Sequence, residues 1–245
     1  MTTQIIDLSQ VYEKLENAQA FGPIKRAIAK VKFLQSCVVD LHDAEQCLIS
    51  LRSLLEINAN VGQDQPTEAA LLATAIQLYI RATVTSLKKD GDRGSSQICA
   101  ELKSQPGQLA DHEALKALPN HAIAHVYEDE ILDGQAWNRA AVFLYQHNNM
   151  WWPSSATNRI KFDGATYKVI ERKLPVALQI LLERLNSALD KLRRCIENSK
   201  EDPDLRKILE ATMADLTDFF GSEDAAEAVI AASAAQPGGL ISLKS

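Results

Sequence analysis

Apolar residues recur at three- and four-residue steps from Pro23 to about Asn58: Ile24, Ile28, Val31, Leu34, Val38 and Leu41, then Leu48, Leu51 and Leu55. That period lines one stripe of a helix, and Gly22-Pro23 supplies its start, because proline's missing N–H costs nothing in a first turn. Residues 58–65, with Gly62, read as a loop. Pro66-Thr67-Glu68 opens a second helix, with Leu71, Ala75, Leu78 and Ala82 as its core face and an end near Lys88-Lys89. After the polar turn 90–96, Ser96 is placed to cap a short helix through Leu102. Pro106-Gly107 breaks the pattern, and Asp111 is placed to cap another helix over 113–118. Pro119 interrupts again, since its ring clashes with the preceding turn; the chain then restarts as a helix to about Glu130, and Asp133 caps a further one over 135–146.

The strand signal lies at 159–170, where sides alternate around Asp163-Gly164, a dipeptide suited to a tight hairpin turn. Two strands bury no core of their own, so this hairpin is expected to lie on the helices, with Trp151 and Trp152 as packing anchors. Pro175 opens a long helix to about Ser199, striped by Leu178, Leu181, Leu182, Leu185, Leu189, Leu192 and Ile196. Asp202-Pro203 begins a last substantial helix to Phe220, and an Ala-rich helix covers 223–235. The expected fold class is therefore mainly α: a helical bundle with one small β-hairpin. Residues 1–200 form the bundle domain with the hairpin at about 159–170, 201–235 form a C-terminal helical segment, and 236–245 form a flexible tail.

Composition sharpens this picture. Gly and Pro together supply only 18 of 245 residues, so turns are scarce and long helices are favoured. Twenty-six basic against 32 acidic side chains give −6, which argues against a surface built wholly to grip phosphates. The basic face Lys25, Arg26, Lys30 and Lys32 reads first as a solvated helix side. Cys37, Cys47, Cys99 and Cys195 form no CxxC pair, as expected of thiols in a reducing cytoplasm. The first ten residues hold Asp7 and no basic run, so no signal peptide is read there, and the longest apolar stretches, 69–80 and 225–235, are interrupted and too short to cross a bilayer. The expected location is the cytoplasm, with no membrane partner.

The richest polar cluster is Leu118-Pro119-Asn120-His121-Ala122-Ile123-Ala124-His125 with Asp129. On a helix, His121, His125 and Asp129 share a face, but His121 is not followed by the glutamate of a zinc-protease helix, and HxxxH alone is as well served by histidines hydrogen-bonded in a helix interface. No P-loop, dinucleotide or serine-hydrolase string occurs. No cofactor and no metal is expected.

The phrase 120–125 resembles the R-N/D-K-x-I/L-A-H signature of bacterial all-helical proteins similar to the HEPN (higher eukaryotes and prokaryotes nucleotide-binding) superfamily, with Asn120, Ile123, Ala124 and His125 matching. Tyr79-Ile80-Arg81 resembles the Tyr-x-Arg of the same proteins, and the likeness spans about residues 45–198. It implies a helical bundle, a homodimer, and, for active members, metal-independent cutting of RNA by an arginine and a histidine, in a bacterial defence or toxin setting. Pro119 stands in the arginine's place, so Arg81 or Lys116 would have to substitute. The candidate catalytic set is His125, Asn120, Arg81 and His121, with RNA and a partner protein as expected partners. The other reading is a non-catalytic scaffold in which Asn120 caps a helix, Ala124 permits close packing and His125 is hydrogen-bonded.

Overall fold

The computed structural model describes residues 6–15, 19–58, 66–85, 96–103, 106–118, 131–132, 135–136, 138–147, 150–159, 164–214 and 221–235. Its order is α1 (Leu8–Lys14), a 3₁₀ turn (Gln19–Phe21), α2 (Gly22–Asn58), α3 (Pro66–Val84), α4 (Cys99–Leu102), α5 (Pro106–Leu118), strands β1 (Ile131–Leu132), β2 (Gln135–Ala136), β3 (Asn138–His147) and β4 (Met150–Arg159), then α6 (Gly164–Ser199), α7 (Pro203–Glu210) and α8 (Glu223–Ala235). The molecule is mainly helical. No described helix is long and apolar enough to cross a membrane.

The chain divides into two compact units: Met1–Ser36, Ser86–Ser95 and Leu181–Ser245 in one, Cys37–Thr85 and Ser96–Ile180 in the other. In the first, the Asp7 carboxylate accepts from the N–H groups of Ser9 (2.7 Å) and Gln10 (3.4 Å), capping α1. The Asp7 N–H donates to the Thr212 carbonyl at 2.9 Å, and Lys14 Nζ to the Ala211 carbonyl at 2.8 Å. Residues 201–235, expected as a separate segment, thus fall in the same unit as the N-terminus and are tied to it just after α7. That helix is capped by Asp202 and ends at Glu210, ten residues short of the expected Phe220; residues 215–220 lie outside the described set, as does the expected tail 236–245.

In the second unit the buried positions include Val38, Leu41, Leu48 and Leu51 of α2, Leu72, Ala75, Ile76 and Tyr79 of α3, Leu115 and Leu118 of α5, and Ile170, Leu174 and Ala177 of α6. The α2 stripe is the one its period predicts. On α3 the buried face is Leu72, Ala75, Ile76, Tyr79, Ala82 and Thr83, turned by about one residue from the expected Leu71/Leu78 face, because the large Tyr79 ring goes inside.

Four local expectations are corrected. The hairpin expected at 159–170 does not form: α6 starts at Gly164, and Thr166, Ile170, Lys173, Leu174 and Ala177 are buried at helical, not alternating, spacing. Tyr167 Oη donates to Glu171 at 3.0 Å, one turn on, and Arg52 of α2 pairs with the same carboxylate. Pro175 accordingly lies inside α6 and does not open it; it is exposed, and only one backbone bond, to the residue-171 carbonyl, is given up. The helix expected at 135–146 is instead strand: β3 pairs antiparallel with β4 from Asn138↔Arg159 to His147↔Met150, and β1 pairs with β2. Val142, Phe143 and Tyr145 are residue types that favour strands. Finally, Ser96 and Asp111 are not caps. The N–H and Oγ of Ser96 both donate to the Thr85 carbonyl, and Asp111 sits within α5, where it pairs with Arg172 at 2.8 Å.

One core residue is unexpected for its type. Lys173 is 1% exposed, and its Nζ donates to both the main-chain and side-chain oxygens of Gln108. A buried ammonium must be so satisfied, and burial pushes Lys173 below the usual lysine range. Lys173→Ala is expected to cost about 2–4 kcal/mol, through the lost stem and an unpaired Gln108 carbonyl, whereas Lys173→Met keeps the stem and should cost about half as much. Urea denaturation of both variants, with unchanged m-value, checks this.

Candidate functional site

Of the four residues singled out for catalysis, Arg81 lies within the described part of the chain; Asn120, His121 and His125, with Pro119, lie outside it. Arg81 is near the end of α3 and reaches Asp40 of α2, with Nε donating to Oδ2 at 2.6 Å and Nη2 to Oδ1. This is a two-pronged pair with the planar fork matched to the carboxylate. The Asp40 side chain is 11% exposed against 65% for Arg81, so the carboxylate is the member that burial would strand. Hydrogen bonding to Asp40 holds the Arg81 guanidinium above even its ordinary value.

Two residues from Arg81 along α3, the chain turns inward to Tyr79, which is fully buried. Its Oη lies 2.9 Å from His112 Nδ1 of α5, and the two rings meet edge to face, 5.8 Å between centroids. His112 is also fully buried, and its Nε2 has no hydrogen-bond partner; among the described residues it is the one buried side-chain nitrogen or oxygen left in that condition. Burial, with the nearby charges of Cys99 and Asp111, pushes the Tyr79 phenol above its usual range. Burial lowers the His112 imidazole; Glu113 opposes this, and Lys173 and Lys116 reinforce it, so the ring is held neutral.

Glu113, the next residue on α5, is exposed and faces two donors. Lys116 Nζ is 3.2 Å from Oε2 and 3.5 Å from Oε1, and the Cys99 thiol of α4 donates to Oε1 at 3.6 Å. Burial by itself would raise the Glu113 carboxyl, but the Lys116 ammonium and the thiol together bring it below the usual range. Burial first, then the hydrogen bond to Glu113, pushes the Cys99 thiol up. Cys99, His112 and Glu113 were not singled out from the sequence. The adjacent His112-Glu113 pair is the signal that marks them, but Cys99 comes from a separate short helix, and the spacing falls outside any local ligand motif.

The basic face expected at the start of α2 is described in the other unit. Lys25 and Lys32 lie over the Tyr12 ring, at 5.0 and 6.0 Å from its centre, and Lys30 lies over Phe33 at 5.7 Å. The four cysteines form no disulfide.

No protein-family model, curated protein or solved structure matches this chain.

Tyr79→Phe keeps the ring and removes the one partner of a buried imidazole nitrogen. It is expected to destabilise the protein by about 1–2 kcal/mol. Denaturant titration reads the loss, and a spectrophotometric alkaline titration should show one fewer late-ionising phenol than the wild type.

Proposed function

We propose that this chain is a HEPN-like helical interaction protein that does not cleave RNA. The observation that supports this reading is the pairing of the two cations able to replace the arginine absent at Pro119. Cleavage concentrates negative charge on a phosphate, and the guanidinium that normally meets it must be free to turn its charge and its two-pronged edge onto it. Arg81 already gives Nε and Nη2 to Asp40. Releasing it strands a largely buried carboxylate, at a cost of about 1–3 kcal/mol. Lys116 is paired with Glu113 more loosely, both side chains being close to half exposed, but it is a single point charge without the planar fork. The working surface is then a contact with another protein or a second copy of this chain, and the signature at 120–125 serves packing.

The RNA-cleaving reading, of a bacterial defence or toxin type, is favoured by the signature match itself: Asn120, Ile123, Ala124 and His125, with an imidazole that titrates near neutral pH. One experiment separates the two. Purified protein incubated with a broad panel of cellular RNAs, with and without EDTA, is expected to leave them intact, and light scattering is expected to give twice the 27.0 kDa chain mass. Cleavage that His125→Ala abolishes at an unchanged thermal midpoint would establish the second reading. Pro119→Arg returns the missing guanidinium, and His125-dependent cleavage gained by that variant would support the family resemblance while leaving the wild type a scaffold.

A further inference from the structure

Cys99 Sγ, a ring nitrogen of His112 and a carboxylate oxygen of Glu113 lie within 4.8 Å of one another. These are a thiol, an imidazole and a carboxylate, drawn from α4 and α5. The Cys99 thiol proton sits between the sulfur and Glu113 Oε1, so its departure leaves two anionic donors side by side. A second, independent observation comes from His112. Its Nδ1 is engaged by Tyr79, and its Nε2 is buried without a partner, a desolvated nitrogen that is destabilising wherever nothing is bound to it.

We infer that Cys99, His112 and Glu113 bind one divalent cation of the zinc class, with the thiolate, His112 Nε2 and one Glu113 oxygen as donors and water in the fourth position. The donor set selects the metal. Sulfur and imidazole suit zinc and its neighbours, whereas magnesium and calcium take shells of oxygen. Bond lengths of about 2.0–2.3 Å put tetrahedral donors about 3.5 Å apart, so the widest pair must close by about 1 Å. Cys99 is half buried and Glu113 exposed, which leaves both side chains room to move and gives the cation a way in from solvent, while His112 waits inside. As the metal–sulfur bond forms, the thiol proton passes to solvent. Tyr79 Oη then accepts the Nδ1–H of His112, fixing the tautomer that presents Nε2, the second-sphere arrangement common to metal-bound imidazoles. Lys116 Nζ lies 3.2 Å from Oε2 and 3.5 Å from Oε1, and a cation on Oε1 leaves it the nearer contact, on Oε2.

The test uses the full chain, stripped with EDTA and titrated with Co²⁺. The expected result is one equivalent bound, with an intense near-ultraviolet thiolate-to-cobalt band that Zn²⁺ displaces. Cys99→Ser should abolish the band and Glu113→Gln should weaken Co²⁺ binding about 10-fold or more, while far-ultraviolet circular dichroism and the metal-free melting temperature stay those of the wild type. Cys195→Ser, a free thiol on α6, should keep the band. Wild-type protein that shows no band overturns the proposal. So does a band that survives Cys99→Ser, or a cobalt affinity unchanged by both Cys99→Ser and Glu113→Gln, since the cation would then be held elsewhere.

Discussion

Burial of Tyr79 against His112 sets the rotation of α3, and the second unit's chemistry follows from that rotation. A helix turns about 100° per residue, so a residue two places on lies about 200° around the axis. With Tyr79 inside, Arg81 is carried to the opposite side, where it meets Asp40 of α2. A Tyr-x-Arg spacing therefore cannot deliver both side chains to one site from a regular helix. It sends the aromatic ring to α5 and the guanidinium to α2, and each makes a partner there.

Asp40, His112 and Lys173 are three of the buried ionisable groups of the same unit, with Glu68 a fourth, and the structure treats the three differently. Asp40 is met by a fork of donors and Lys173 by two carbonyl oxygens, so each has hydrogen-bond partners inside the fold. His112 is held neutral, and half of its hydrogen-bonding capacity is unused. An unpaired nitrogen in a core is a standing destabilisation that an apolar residue of similar size would remove. Its presence beside a thiol and a carboxylate is the feature that packing alone does not account for.

Helix starts were legible at Gly22-Pro23 for α2 and Pro66 for α3, and the Ala-rich run of α8 matches its expected bounds, but Pro106-Gly107, read as a break, opens α5. Reading failed where the two periods overlap. Thr166, Ile170 and Leu174 fit a helix, yet alternate members of the same stretch also fit a strand, and long-range contacts to Arg52 and Asp111 favour the helix in a way no local pattern records. Pro175 misled for a related reason. In an exposed position of a long helix it costs a single backbone bond, which the buried stripe on either side outweighs. Of the candidate site, Arg81 was legible as a residue but not its partner Asp40, because the pairing joins positions 41 residues apart. Cys99 was invisible for the same reason: it carries no local ligand spacing, and what unites it with the His112-Glu113 pair is the packing of α4 on α5.

Glu113 connects the two lines of reasoning. Its Oε2 is the oxygen nearest Lys116, one of the cations considered for phosphate contact, and its Oε1 accepts from the Cys99 thiol. A carboxylate has lone pairs enough to serve both neighbours at once. A cation taking Oε1 in place of the thiol proton also displaces the longer Lys116 contact to that oxygen, at 3.5 Å, and adds positive charge beside the one that remains on Oε2. The exposed Lys116 pair, already weak, is the contact that yields. The scaffold reading rests chiefly on Arg81, whose clasp on Asp40 involves no group of the Cys99–His112–Glu113 cluster and so persists whichever way Glu113 is occupied.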